Sequence, residues 1–195
     1  MKREEPEEIL VKMAKKGDVS AFSELVKRYE RYILNLVYRT LGYSEDAEDI
    51  AQETFIKAYN NIKNFRGESK FSTWLSKIAI NLCRDKFRSK SHKEENLEDG
   101  VWLTIPQNSY YDPEETAERM EIQENIRRAV ASLPEELRVV FVLRELEDLS
   151  YEEISKMLNI PIGTVESRIY RARMKLKTLL SDLRTVEEVT EESEV

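Results

Sequence analysis

Residues 150–180 read S-Y-E-E-I-S-K-M-L-N-I-P-I-G-T-V-E-S-R-I-Y-R-A-R-M-K-L-K-T-L-L. Ser150 followed three positions later by Glu153 is a capping box: the hydroxyl accepts from the Glu153 amide and the carboxylate accepts from the cap's own amide. A helix therefore begins at Tyr151, and Ile154, Met157 and Leu158 give it one apolar stripe. Asn159-Ile160-Pro161 interrupts the pattern, because proline cannot continue a helix. A second helix can begin near Gly163-Thr164. At about 100° per residue, Val165, Ile169, Ala172, Leu176, Leu179, Leu180 and Leu183 fall on one side, which must face a core. The opposite side carries Ser167, Tyr170, Arg171 and Met174 at its middle, with Glu166 at one edge, Arg168 and Lys175 on one flank and Arg173 near the other. Long cations beside a short polar centre suit a major groove, where the centre meets base edges and the flanks meet phosphates. A solvated basic surface helix would share that composition, but the capped helix and tight turn before it favour a helix-turn-helix that reads DNA.

The rest of the chain bounds the class. With 195 residues, five glycines, five prolines and no alternating strand pattern with hairpin signals, it reads as all-α and long enough for two small domains. A single cysteine, Cys83, excludes an internal disulfide framework and a multi-cysteine zinc site, and fits a reducing compartment. The first residues lack the apolar stretch of a signal peptide, and no apolar run approaches the roughly 18–20 residues that span a bilayer. A cytoplasmic protein without membrane insertion is expected.

A formal charge of −7 looks wrong for a DNA binder until it is divided along the chain. Residues 61–90 hold eight Lys/Arg against two Asp/Glu, and residues 154–184 hold seven against two. Residues 91–118 hold one against eight, and residues 185–195 none against five. Two basic blocks alternate with two acidic ones, so the local field matters more than the sum.

Helix patterns place the boundaries. Asp18-Val19-Ser20-Ala21 starts a helix with Phe22, Leu25, Val26, Tyr29, Ile33, Leu36 and Val37 as its buried stripe. Others are expected over residues 44–62 and 72–88, and another from Asp112-Pro113 to about Leu133, with Pro134 opening the next. The periodicity fails between Ser89 and Tyr111, although Trp102, Ile105, Tyr110 and Tyr111 make that stretch more apolar than a free tether. The expected domains are residues 1–90 and 112–184, with a flexible acidic linker over 91–111 and a disordered acidic tail over 185–195.

Two faces in the first domain carry possible chemistry. On the 44–62 helix, Ala47, Ile50, Ala51, Phe55, Ala58 and Ile62 line one side, while Asp49, Gln52, Glu53, Ile56 and Asn60 share the other. An isoleucine inside an acidic and amide ring fits a protein-binding patch, and equally a single exposed apolar residue of the ordinary kind. On the 72–88 helix, Phe71, Trp74, Leu75, Ile78, Ala79 and Leu82 gather toward the core, and Thr73, Lys77, Ile80, Asn81, Arg84, Phe87 and Arg88 lie opposite. Cations beside amide, aliphatic and aromatic surface suit single-stranded nucleic acid. The preceding loop, Asn64-Phe65-Arg66-Gly67-Glu68-Ser69-Lys70, could hold an unstacked base. A solvated basic helix after an ordinary turn is the alternative.

Taken in order, D-A-E-D-I-A-Q-E-T-F-I-K-A-Y at 46–59, F-R-G-E-S-K-F-S-T-W-L at 65–75, I-A-I-N at 78–81, L-S-Y-E-E-I at 149–154 and I-P-I-G-T-V-E-S-R-I-Y-R-A-R at 160–173 resemble the extracytoplasmic-function group of bacterial sigma factors. The resemblance implies that Asp49, Gln52, Glu53, Ile56 and Asn60 dock on the clamp helices of core RNA polymerase. It implies that Phe65, Arg66, Gly67, Ser69, Lys70, Lys77, Asn81, Arg84 and Arg88 recognise and melt the −10 element as single-stranded DNA, the loop accepting a flipped base. Thr164, Glu166, Ser167, Arg168, Tyr170, Arg171, Arg173 and Lys175 would read the −35 element as duplex DNA. Glu166 departs from the basic or neutral residue of many relatives, and the promoter sequence does not follow from the family. The linker would thread toward the polymerase active-centre and RNA-exit channels. An anti-sigma factor is a further implied partner. No cofactor, metal site or enzymatic activity is expected: the one histidine, His92, falls in the linker, and no glycine loop has phosphate-binding spacing. An autonomous helix-turn-helix regulator would explain residues 150–180 but leave the other two faces without a task.

Overall fold

The computed structural model of the chain describes residues 5–42, 46–94 and 117–193. Every element in them is helical, and they form two compact bodies, one built on α1–α4 and the other on α5–α8.

In the first body, α1 (Glu7–Lys15) places Glu7 and Glu8 in its first turn and Lys12 and Lys15 in its last, the order that suits the helix dipole. It buries Leu10, Val11 and Ala14. Gly17, at φ +94°, reverses the chain. The Asp18 carboxylate then accepts from the Ala21 amide at 3.0 Å and starts α2 (Val19–Leu41). Phe22, Leu25, Ile33, Leu36 and Val37 are buried along it, as their spacing predicts. Helix α3 (Asp46–Asn61) ends in a single 3-10 turn (Ile62–Asn64) and buries Ala47, Ile50, Ala51, Thr54 and Ala58. The Thr54 hydroxyl is satisfied by the Ile50 carbonyl at 2.8 Å.

Helix α4 (Phe71–Glu94) departs from the sequence reading in two ways. It continues past Arg88 through His92, because residues 89–94 contain neither proline nor glycine to stop it. It is also covered over a wider arc than its hydrophobic stripe suggested. Ile80 (0% exposed), Phe87 (8%), Ser76 and Cys83 are buried along with Phe71, Leu75, Ala79 and Leu82. The expectation that Ile80 and Phe87 offer apolar surface to bases is therefore corrected: both belong to the core.

In the second body, α5 (Ala117–Ala131) leads through Pro134 to α6 (Glu135–Phe141), which widens into a π-helical turn (Val142–Leu146). Val139, Val140, Val142 and Leu143 are buried there. The expected helix start at Asp112-Pro113 and the linker's Trp102, Ile105, Tyr110 and Tyr111 lie outside the described residues. Helix α7 (Tyr151–Leu158) follows, and α8 runs Ile162–Ser193. The acidic stretch beyond residue 184, expected as a disordered tail, continues α8 as helical backbone up to Ser193. Glutamate favours helix nearly as well as alanine, and no proline or glycine intervenes.

Candidate nucleic-acid and polymerase interfaces

The helix-turn-helix forms as its capping chemistry requires. The Ser150 amide donates to Glu153 Oε2 at 2.8 Å and the Glu153 amide donates to Ser150 Oγ at 3.2 Å. Asn159 ends α7 in the left-handed region (φ 54°, ψ 51°), a conformation asparagine tolerates better than most residues. The Ser155 hydroxyl donates to the Ile160 carbonyl at 2.6 Å and the Ile160 amide donates to the Ser155 carbonyl at 3.2 Å, which locks the turn. The Pro161 carbonyl accepts from the Thr164 and Val165 amides and begins α8. Val165, Ile169, Ala172 and Leu176 are buried, and Leu179 and Leu180 are half-buried. The side chain of Leu183 lies outside the described residues.

The outward face of α8 holds Glu166, Ser167, Tyr170 (66% exposed), Arg171, Arg173, Met174 and Lys175, with Thr164 and Arg168 half-buried at its margin. The two flanking arginines are not loose. Arg168 donates to Glu136 of α6 at 2.6 Å, and Arg173 donates to Glu145 of the π turn at 2.6 Å. The Glu145 hydrogen bond shifts Arg173 still further toward its charged form. The sequence reading missed both carboxylates, since nothing in their local context links them to α8. Arg144 braces the start of α7, donating to the Leu149 carbonyl at 3.0 Å and stacking over Tyr151 at 5.3 Å.

In the first body, Asp49, Gln52, Glu53, Ile56 and Asn60 are all exposed on one side of α3, with Ile56 at 61%. Glu53 pairs with Lys57 at 3.0 Å. This is an apolar anchor in a polar rim, the composition of a small protein contact.

The second face has a narrower make-up than its sequence suggested. Lys77, Asn81, Arg84 and Arg88 are exposed at spacings of four, three and four, so they form one stripe along α4. Arg88 is paired with Asp85 one turn back. Trp74 and Ile78 are half-buried beside the stripe. Arg66, Gly67, Ser69 and Lys70 are exposed in the loop ahead of α4, and Gly67 sits at φ +77°, which a side chain would strain. Phe65, expected to face DNA, is instead 8% exposed. Its ring packs on Phe71 and Trp74 at centroid distances of 5.6 and 5.2 Å, because burying an aromatic ring there gains more than presenting it to water.

Comparison with known proteins decides the family. Residues 25–93 match the model for sigma-70 region 2, and residues 123–176 match that for sigma-70 region 4. The ECF RNA polymerase sigma factor SigW of Bacillus subtilis is 41% identical over 179 residues, covering 89% of this chain and 96% of that protein. The chain belongs to the extracytoplasmic-function sigma factors. The ECF sigma-E factor of Escherichia coli is 40% identical, over 86% of this chain and 90% of that protein. The solved structure of CnrH in complex with the cytosolic domain of CnrY superposes with a TM-score of 0.61 at 28% identity, over 89% of this chain and 96% of that one. A sigma factor directs RNA polymerase to promoters and is not an enzyme in its own right, so this sigma factor's faces are read as contact surfaces rather than as a reaction site. No helix among the described residues of this sigma factor is long and apolar enough to cross a membrane.

Proposed function

We propose that this sigma factor divides its labour among three surfaces. The Asp49, Gln52, Glu53, Ile56 and Asn60 face of α3 docks on core RNA polymerase. The loop at Arg66, Gly67, Ser69 and Lys70, with the Lys77, Asn81, Arg84 and Arg88 stripe, takes the −10 element as a single strand. Thr164, Glu166, Ser167, Arg168, Tyr170, Arg171, Arg173 and Lys175 take the −35 element as duplex. Residues 1–90, with α4 running on to Glu94, and 112–184 serve as the two working domains, and the rest of 91–111 is the connection between them. An anti-sigma factor is the regulatory partner, in keeping with the CnrH relative being solved in complex with a second protein.

The observation that carries this reading is that one small body exposes both an isoleucine-centred acidic patch on α3 and a cationic stripe on α4. A regulator acting alone would need only the helix-turn-helix. Ile56→Asp places a charge where a protein contact would strip its hydration, so core affinity should fall about thirtyfold, the size of a hot-spot loss. Circular dichroism should show unchanged helicity, since Ile56 is 61% exposed. The wild-type chain should bind promoter duplex tightly only once core polymerase is added. Undiminished core affinity of Ile56→Asp would remove α3 from the interface, and tight promoter binding by the free chain would favour an autonomous regulator.

A further inference from the structure

Helix α1 is fastened at both ends. The Tyr29 hydroxyl of α2 donates to Glu7 in its first turn, and Lys15 in its last turn donates from Nζ to the Phe65 carbonyl at 2.8 Å. Phe65 is the residue on which the 66–70 loop is rooted, so that root is held from two sides, its ring by Phe71 and Trp74 and its carbonyl by the Lys15 ammonium. The loop itself is lightly held. Residues 66–70 are all exposed, the Arg66 to Glu68 pair is 3.8 Å apart, and the Ser69 hydroxyl reaches the Lys70 carbonyl at 3.4 Å.

We propose that Lys15 is a positioning residue for promoter melting: by clamping the Phe65 carbonyl it sets the path of the loop that receives the −10 strand. This rests on the reading of the loop given above. Lys15 is half-buried and directs its ammonium at a neutral backbone acceptor, so it works by arranging the loop and not by neutralising a phosphate. A hydrogen bond from a charged donor is worth more than a neutral one. A loop released from it must be ordered each time a strand binds, which costs affinity.

The test uses holoenzyme and a fluorescein-labelled single-stranded oligonucleotide carrying the −10 sequence that the wild-type holoenzyme selects from a promoter pool. Lys15→Met should weaken binding about tenfold, Lys15→Gln less because its amide still donates, and Lys15→Arg should stay within about twofold of wild type. The salt dependence of Lys15→Met should match wild type, whereas loss of a phosphate contact on a single strand would lower the slope by about 0.7. Core affinity and binding of the −35 duplex should be unchanged, which excludes general misfolding. Arg66→Ala is the control for the loop. If Arg66→Ala weakens binding while Lys15→Met and Lys15→Gln bind like wild type, the Lys15 proposal alone is overturned, and a lowered salt slope for Lys15→Met overturns it as well. If Arg66→Ala and Lys15→Met both bind like wild type, the loop does not hold the strand and both readings fall.

Discussion

The outward face of α8 divides into a centre and flanks that should do different work. Ser167, Tyr170 and Arg171 project opposite the buried Val165, Ile169 and Ala172, and on the proposed reading they would meet base edges. Arg171 is exposed and donates from Nε to the Ser167 carbonyl at 3.3 Å, which leaves both Nη groups out of that bond. Arg171→Ala should therefore change the preference among −35 variants, by roughly 1–3 kcal/mol if the contact is bidentate. Lys175→Ala, at the flank, should weaken all variants alike and lower the salt slope by about one counterion's share. Holoenzyme binding to a −35 panel at several salt concentrations separates the two. Reversal of these patterns would mean the helix enters the groove rotated from this orientation. Arg168 and Arg173 form a third group, since each is held by a carboxylate, Glu136 and Glu145, that a phosphate contact would have to displace.

Helix α7 depends on its ends. It has eight residues, too few to be stable alone, so its cap and its packing on α8 must hold it. Ser150→Ala removes the oxygen that accepts the Glu153 amide and leaves the Glu153 carboxylate with half of its reciprocal pair. The second body should lose about 1 kcal/mol of stability, measured by urea denaturation. Affinity for −35 duplex should fall only modestly near room temperature and more steeply on warming, as the orienting helix frays. A variant with unchanged denaturation midpoint would show that packing of Ile154, Met157 and Leu158 alone suffices.

The first body as an assembly carries its own pH dependence. Cys83 sits fully inside, and burial pushes its thiol up to about 12 from an ordinary value near 9. Burial, with the Glu7 carboxylate beside it, raises the Tyr29 hydroxyl as well. A raised acid favours its neutral form in the folded state, so its contribution is complete below the unfolded pKa and is lost as pH climbs toward the folded one. The first body should hold constant stability from these groups between pH 6 and about 8.5, then lose up to roughly 1.4 kcal/mol per pH unit from Cys83 through the alkaline range. Chemical denaturation at pH 7, 9 and 10 measures this. Alkylation at pH 8 should proceed only as fast as the body opens, and rapid labelling of the folded chain would contradict the burial.

The parts of this protein that were legible in one dimension are those governed by interactions within a turn or two of helix. The capping box at Ser150, the break at Asn159-Ile160-Pro161, the buried series of α8 and the exposed Asp49 to Asn60 face all follow from bonds and side-chain spacings of three or four residues. Other features required the helices to be assembled. A helical wheel ranks the sides of α4 by polarity but does not say how many neighbours cover them, and so Ile80 and Phe87 entered the core. Phe65 turned inward because Phe71 and Trp74 were there to receive its ring. The partners of Arg168, Arg173 and Lys15 lie 32, 28 and 50 residues away along the chain. Pairings at that distance are chosen by where packing leaves each helix, and the packing energy is a property of the assembled body that no local pattern contains.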